Sequence, residues 1–529
     1  MLGVVLTILS AATLSPSAGS AIPSSTTTGH ANHRVYYVNC AHGNDAASGT
    51  SAGHAWRTLA KVDSVTFVSG DSVLFKRSVR CNGVFQPLGS GTQQLPIAAS
   101  AYGKGSPPLL AGNGARATVV LDDVQGWIVR DLAITNAGPS NEPGVLRSGI
   151  EVENDRLGAA QGFTIEDNYI SHVDTSPDAA PGESIENETK AGGGIEFTST
   201  ATNGFDGVLI AHNRLTAVTR EGIFIDGGIP TKGLVIAWNT LRNIGGDGIV
   251  AVHSAGAMIA HNAVSWFNLV GTSSNAGIWA YDSNGDVFQF NSVSHGENSP
   301  LDGMAYDIDG GDQDLVFQYN LSYDNSGGFL MLCNDPGPPA PPNGSVVRYN
   351  ISQDDSAVGG RGVIDAPPVC GGEQDVSIYN NTIYTQAPQL TTMEENSNGS
   401  VVDFTNNIIV GPDAGATISD QPSTWQHNLY LNVSCVVRGP DPGAIVGNPA
   451  FVNPGAATST RTAGGYKLRT GSPAIRAGSV IVDNGGRDFF GNPLPVNARP
   501  NIGAYQGPGV SEKVPIATEQ VAAPGCAAP

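Results

Sequence analysis

Short runs of alternating apolar and polar residues, broken at regular intervals by Gly and Asn, organise most of the chain. In each unit a Gly opens the first run: Gly149-Ile150, Gly194-Ile195, Gly222-Ile223, Gly248-Ile249, Gly277-Ile278, Gly303-Met304, Gly328-Phe329 and Gly362-Val363. A second run closes on Asn168, Asn213, Asn239, Asn262, Asn291, Asn320, Asn350, Asn380 or Asn406. Most steps in the Asn series are about 23 to 30 residues, a period that marks solenoids. A unit this thin cannot bury its own apolar residues, so stacked copies must share one core. Alternation with period two predicts strands, and no unit holds a ten-residue stretch at the helical period. That excludes helical repeats, while propeller blades need units of about 40 residues or more. The expected fold is all-β, a stack of short strands. The Asn series reads as an internal amide ladder. The Gly series reads as bends with positive φ or close backbone approach.

Residues 277–334 contain two near-copies of the unit and much of the aromatic and acidic density. Alignment on the opening Gly sends the first and third following residues inward: Ile223 and Ile225, Ile278 and Ala280, Met304 and Tyr306. The second positions then face out: Glu151, Glu196, Phe224, Val250, Trp279, Ala305 and Leu330. So do the fourth: Glu153, Thr198, Asp226, Val252, Tyr281, Asp307 and Leu332. Carboxylates and aromatics share this face, as sugar recognition requires. Asp307 and Asp309 point the same way, about 6.5 to 7 Å apart at Cα. Asp282 lies one coil earlier, about 4.8 Å along the axis. With His253 at the same offset before it, His253, Asp282, Asp307 and Asp309 are expected at one edge of the face. Glu221, Asp247 and Asp302 precede the opening Gly. Asp247 and Asp302 are two coils apart, about 9.6 Å.

Composition narrows the classes. There are 68 Gly in 529 residues, and charged residues are 14%. Those shares suit short strands and turns better than long helices. The net charge of -21 disfavours nucleic acid and anionic membranes as partners. Residues 1–21 carry a short apolar stretch and then small residues, as a secretory signal peptide does. They lack a basic residue before that stretch. No other apolar stretch reaches the roughly 18 residues of a membrane span. Six Cys in an exported chain allow up to three disulfides. Cys333 with Cys370, at similar offsets in neighbouring coils, is one candidate pair. Cys40 with Cys81 is another, and sequence alone does not fix the pairing.

Residues 34–115 contain YYV, GND…SGT, AW-x-TLAKV, SGDSVLFKR, GSGT and AYGKG. This stretch resembles the N-terminal capping region of secreted right-handed parallel β-helix proteins, the pectate-lyase-like superfamily that also includes glycosidases. It departs from them in carrying Cys81 near a place they usually give to an aromatic. Residues 436–506, with GNPAFVNP, YKLRTGSPAIRAG, DNGGRDFFGNP and NIGAYQ, resemble the C-terminal cap of the same superfamily. The resemblance implies a single-stranded right-handed parallel β-helix over 116–435, capped at both ends, in a secreted protein. Residues 507–529, rich in Ala and Pro, are expected to be disordered. Such an entry is shared by lyases, hydrolases and non-enzymes, so it does not fix the reaction.

The leading expectation is a secreted glycoside hydrolase acting on a polysaccharide or oligosaccharide. Asp307, Asp309, Asp282, Asp302, Asp247 and Glu221 are the candidate acids and bases. Trp279, Tyr281, His253, Asp226 and Phe224 are the candidate sugar contacts. One carboxylic acid must stay protonated and one carboxylate must act as base or nucleophile, a division that close acidic neighbours supply. No cofactor is required, although Asp307, Asp309 and Asp312 form a candidate Ca²⁺ loop. The alternative is a polysaccharide lyase with Arg220, Lys232 or Arg242 as base and Ca²⁺ at the Asp cluster. A binding solenoid without catalysis is the third. Against each site residue stands a plainer role, a solvated turn Asp, a packed His or a surface aromatic.

Overall fold

The chain is a coil of parallel strands, seen here in a computed structural model that describes residues 33–139, 144–176, 191–270, 274–297, 302–334, 343–355, 361–387, 392–420, 422–438, 440–494 and 498–511. Most of the expected signal peptide and tail therefore lie outside the described residues. Each coil contributes three strands, and every pairing between named strands is parallel. On the first face the succession runs Ser148–Asn154, Gly193–Ser199, Glu221–Lys232, Ile249–Ala255, Ile278–Tyr281, Tyr306–Asp309, Leu330–Cys333, Ile364–Ala366. A right-handed parallel β-helix is thus the architecture. It is entered by Val35–Val38, which pairs with Ser72–Lys76, and Cys40–Cys81 staples this first part.

The core is a set of columns. Ile150, Ile195, Ile223, Ile249, Ile278, Tyr306, Leu330 and Ile364 stack in register, all nearly or fully buried. At the second corner the Asn ladder is present. Asn320 Oδ1 accepts both the backbone N–H and Nδ2 of Asn291, at 2.9 and 3.1 Å. The same exchange continues from Asn168 to Asn428. Near its end the ladder departs from the sequence expectation. It passes through Asn381 and Asn407, not Asn380 and Asn406. Asn380 (φ 54°) and Asn406 (φ 59°) hold the left-handed position just before the ladder. In earlier coils His212, Trp238, His261, Phe290, Tyr319 and Tyr349 occupy that position and stack on one another. Asn tolerates that backbone conformation, so the first Asn of each pair takes the bend and the second enters the ladder.

Residues 440–511 add a last strand, Ile445–Val446, to Leu429–Leu431. They then fold back along the flank, packing Phe451, Tyr466, Phe489 and Ile502 against Tyr319, Tyr349 and Ile408. Among the described residues no helix is long and apolar enough to cross a membrane.

Candidate active site

The opening Gly residues serve close approach. A Cβ on Gly248 would stand 2.3 Å from the Gly277 carbonyl. The marker slips in three coils, at Gly303, Gly328 and Gly362. Tyr306, not Met304, occupies the place of Ile278, so Asp307 stacks on Trp279 rather than on Tyr281. Ala305 is consequently buried in the core rather than facing out. In the next coil Leu330 and Leu332 point inward, against the alternation expected from Gly328. In the Gly303 coil the slip accompanies an added turn at 302–304, where Asp302 Oδ1 accepts the amides of Gly303 (2.6 Å) and Met304 (2.9 Å).

The outward row nearest the start of the strands therefore runs Glu151, Glu196, Phe224, Val250, Trp279, Asp307, Met331, Asp365. Its middle is apolar. Phe224, Val250, Val252, Ala276 and Trp279 form a buried cluster with Tyr281 packed against it. Asp307 follows Trp279 directly and is only 3% exposed. Its Oδ1 has no hydrogen-bond partner among the described residues. Burial first, and then Asp309, Asp302, Asp312 and Glu373 around it, push the Asp307 carboxyl well above the usual range. That burial and those neighbouring carboxylates favour the protonated form of Asp307. Asp302, also buried, is pushed up to about 7, by burial against its two amide bonds and the nearby Arg361. Asp309 is half-buried and its Oδ1 accepts the Gly310 amide at 2.7 Å. Asp302, Asp307 and Asp309 thus form one group.

Other sequence candidates lie elsewhere. Asp247 Oδ1 accepts the Ala276 amide (2.6 Å) and Trp279 Nε1 (2.8 Å), so it fixes the indole. Glu221 Oε2 accepts the Asp247 amide at 2.6 Å, and Glu221 Oε1 lies 3.5 Å from Arg220 Nε. Asp282 does not join Asp307 at the edge of the face. His253 bridges it to Asp226, with Nδ1 2.8 Å from Asp226 Oδ1 and Nε2 3.1 Å from Asp282 Oδ2. That trio is solvent-exposed and adjoins the acid group through Asp282 N, which donates to Gly310 O at 2.8 Å.

Of the candidate Ca²⁺ loop, Asp312 lies beside Asp307 and Asp309, but both of its oxygens are engaged by backbone amides. Its two oxygens accept the amides of Ser283 and Asp309, both at 3.1 Å. Among the described residues no three His, Cys, Asp or Glu converge as a ligand set. Lys232 and Arg242 are exposed and stand off this group, whereas Arg220 pairs with Glu221. Three residues at the site were missed in the sequence. Arg361 bonds Asp365 (Nε–Oδ2 2.8 Å), and Glu373 is fully buried. Asp365 was hidden by a one-residue slip of the Gly362 marker, since Ile364 and not Val363 enters the inward column. Arg361 and Glu373 lie in turns, where alternation carries no signal. Both candidate disulfides, Cys40–Cys81 and Cys333–Cys370, are formed.

The fold and this acid-lined face define a right-handed parallel β-helix with an enzyme-like site. A family model described as a right-handed β-helix region matches residues 202–359. A curated relative, lacto-N-biosidase of Bifidobacterium longum subsp. longum, is 28% identical over 90% of this chain. The chain spans 36% of that relative's length. Among solved structures, the GH136 lacto-N-biosidase of Eubacterium ramulus superposes with a TM-score of 0.59. It is 20% identical and covers 78% of this chain and 68% of its own. XylC in complex with xylose superposes with a TM-score of 0.52 at 13% identity, over 89% of this chain and 98% of its own.

Proposed function

We propose that the protein is a glycoside hydrolase that cleaves an oligosaccharide at Asp302, Asp307 and Asp309. The observation that carries this is Asp307, a buried carboxyl with an unpartnered oxygen, in register beside Trp279 and crowded by other acids. Hydrolysis needs one carboxylic acid to protonate the leaving oxygen and one carboxylate as base or nucleophile. Asp307 is the acid. Asp309, two residues along the same strand and about 6.5 to 7 Å away at Cα, is the carboxylate. Asp302, held by backbone amides and titrating near 7, takes part in the proton balance of Asp307. Trp279 offers a ring edge and apolar surface to a sugar, and Asp247 holds it in place. The likeness to lacto-N-biosidases supports hydrolysis over elimination and makes lacto-N-biose-terminated oligosaccharides the first substrates to test. Export belongs to the same proposal, because two disulfides suit an oxidising compartment.

The test is a panel of aryl lacto-N-bioside, neutral oligosaccharides and uronate polysaccharides. Products are scored for new reducing ends and for ultraviolet-absorbing unsaturated uronate. Reducing ends alone are expected, and Asp307→Asn should lower kcat by roughly 10²- to 10⁴-fold with an unchanged circular dichroism spectrum. Near-wild-type turnover in that variant would remove Asp307 from the chemistry. An unsaturated product would move the protein to the lyases.

A further inference from the structure

Behind Asp309 the chain closes into a ring of contacts that the acid and base do not themselves make. Asp312 Oδ2 accepts the Asp309 amide at 3.1 Å. The Asp312 carbonyl accepts from Asn343 Nδ2 at 2.8 Å, and the same amide donates to Glu373 Oε2 at 2.9 Å. The Glu373 amide donates to Ser400 Oγ at 3.0 Å. Glu373 follows Cys370, whose disulfide partner Cys333 stands next to Asp309 in the strand register. Asn334 and Gly371 exchange backbone hydrogen bonds of 3.0 and 2.6 Å and fix the intervening backbone. The ring thus returns to Asp309 by two routes, one through hydrogen bonds and one through sulfur.

Glu373 is fully buried, and its Oε1 has no hydrogen-bond partner among the described residues. An ionised carboxylate in that state is costly, and a neutral one is not. Burial pushes its carboxyl up to about 8, opposed by the Asn343 bond and assisted by Asp309. The titratable groups that face it are Asp309 and Asp307, while Asn343 and Ser400, from the coils on either side, do not titrate.

We infer that Glu373, held by Asn343 and by the Cys333–Cys370 disulfide, is a positioning residue that fixes the end of the Tyr306–Asp309 strand and so sets the Asp309 carboxylate against Asp307. This role rests on the catalytic assignment of Asp307 and Asp309 proposed above. A neutral Glu373 braces the turn without adding charge beneath the acids. An ionised one places a further negative charge beside the Asp309 carboxylate and pushes the strand end away.

The experiment uses the full chain and the reducing-end assay, with Asp307→Asn run in parallel. Glu373→Ala should lower kcat by roughly ten- to a hundredfold and leave KM within about twofold, since misplacing a catalytic group by about 1 Å costs up to 10²-fold. Glu373→Gln keeps the acceptor for Asn343 but cannot ionise. It should retain kcat within about threefold at pH 6 and lack the fall in kcat that ionisation of Glu373 is expected to cause in the wild type above about pH 8. A Cys333→Ala, Cys370→Ala double variant should repeat the kcat loss without a KM change. Wild-type kcat in Glu373→Ala, or a Glu373→Gln pH profile that superposes on the wild type, overturns the inference. If Glu373→Ala does not fold, the Glu373→Gln profile decides. If Asp307→Asn is fully active, the catalytic assignment itself falls, whatever the Glu373 variants do.

Discussion

At the scale of single residues, roles separate by what each carboxylate oxygen touches. Asp247 and Asp307 are both buried acids on the same side of the rod. Asp247 Oδ1 is taken by the Ala276 amide and the Trp279 indole, while Asp307 Oδ1 is left without a partner. The first arrangement builds, and the second favours the protonated carboxyl. Asp247→Ala should therefore behave as a stability variant with a binding defect. Each of the two orphaned donors costs about 1–3 kcal/mol, so a loss of roughly 2–6 kcal/mol in urea unfolding is expected. KM should rise as the Trp279 ring loosens. Asp247→Asn, which keeps the acceptor, should lose much less. Equal losses in the two variants would mean that charge, not the acceptor, matters there. Asp302, Asp307 and Asp309 were all legible as candidates, Asp307 and Asp309 because their spacing on a short alternating run gives a common direction, and Asp302 because it precedes the opening Gly. Their separation from Asp282 was not legible. It depends on the added turn at 302–304, where a carboxylate bonds two amides of its own chain.

At the scale of elements, the amide ladder is the spine of each coil. Asn320 receives two hydrogen bonds from Asn291 and gives one to Asn350 Oδ1 and one to the Phe288 carbonyl. Asn320→Ala orphans several buried groups at once, and a loss of roughly 3 kcal/mol or more is expected. Asn320→Gln should also destabilise, because an extra methylene puts the amide out of step with its copies. Urea midpoints check both, and a wild-type midpoint in Asn320→Ala would show that the ladder is not needed there. The ladder was readable from the Asn period alone, except at the Asn380-Asn381 and Asn406-Asn407 pairs. There two identical side chains compete, and only the backbone bend chooses between them.

At the scale of the molecule, the buried acids set how the rod responds to pH. Asp302 and Asp355 are pushed by burial to about 7, and Glu373 to about 8, from ordinary values near 4. A carboxyl whose folded pKa is raised stabilises the fold fully below its unfolded pKa. That stability is lost as pH rises through the folded value. Stability should therefore fall as pH rises from about 4 to about 8. A net charge of -21 adds self-repulsion in the same direction. Thermal midpoints across this range, at fixed salt, should decline with pH. A rise would mean that these acids are ionised in the folded state.

The sequence by itself determined the kind of object this is. Strand period, coil period, recurring Asn and the approach glycines act between neighbours, in a structure where each coil touches only the next, so local pattern suffices. The Cys333–Cys370 pairing was legible for the related reason that residues at similar offsets in stacked coils come together. Tertiary structure alone decided which acids share a space and which one keeps its proton. Register across an added turn is a choice between backbone paths. Proton affinity depends on burial, which is made by all the coils together and by no single stretch of chain.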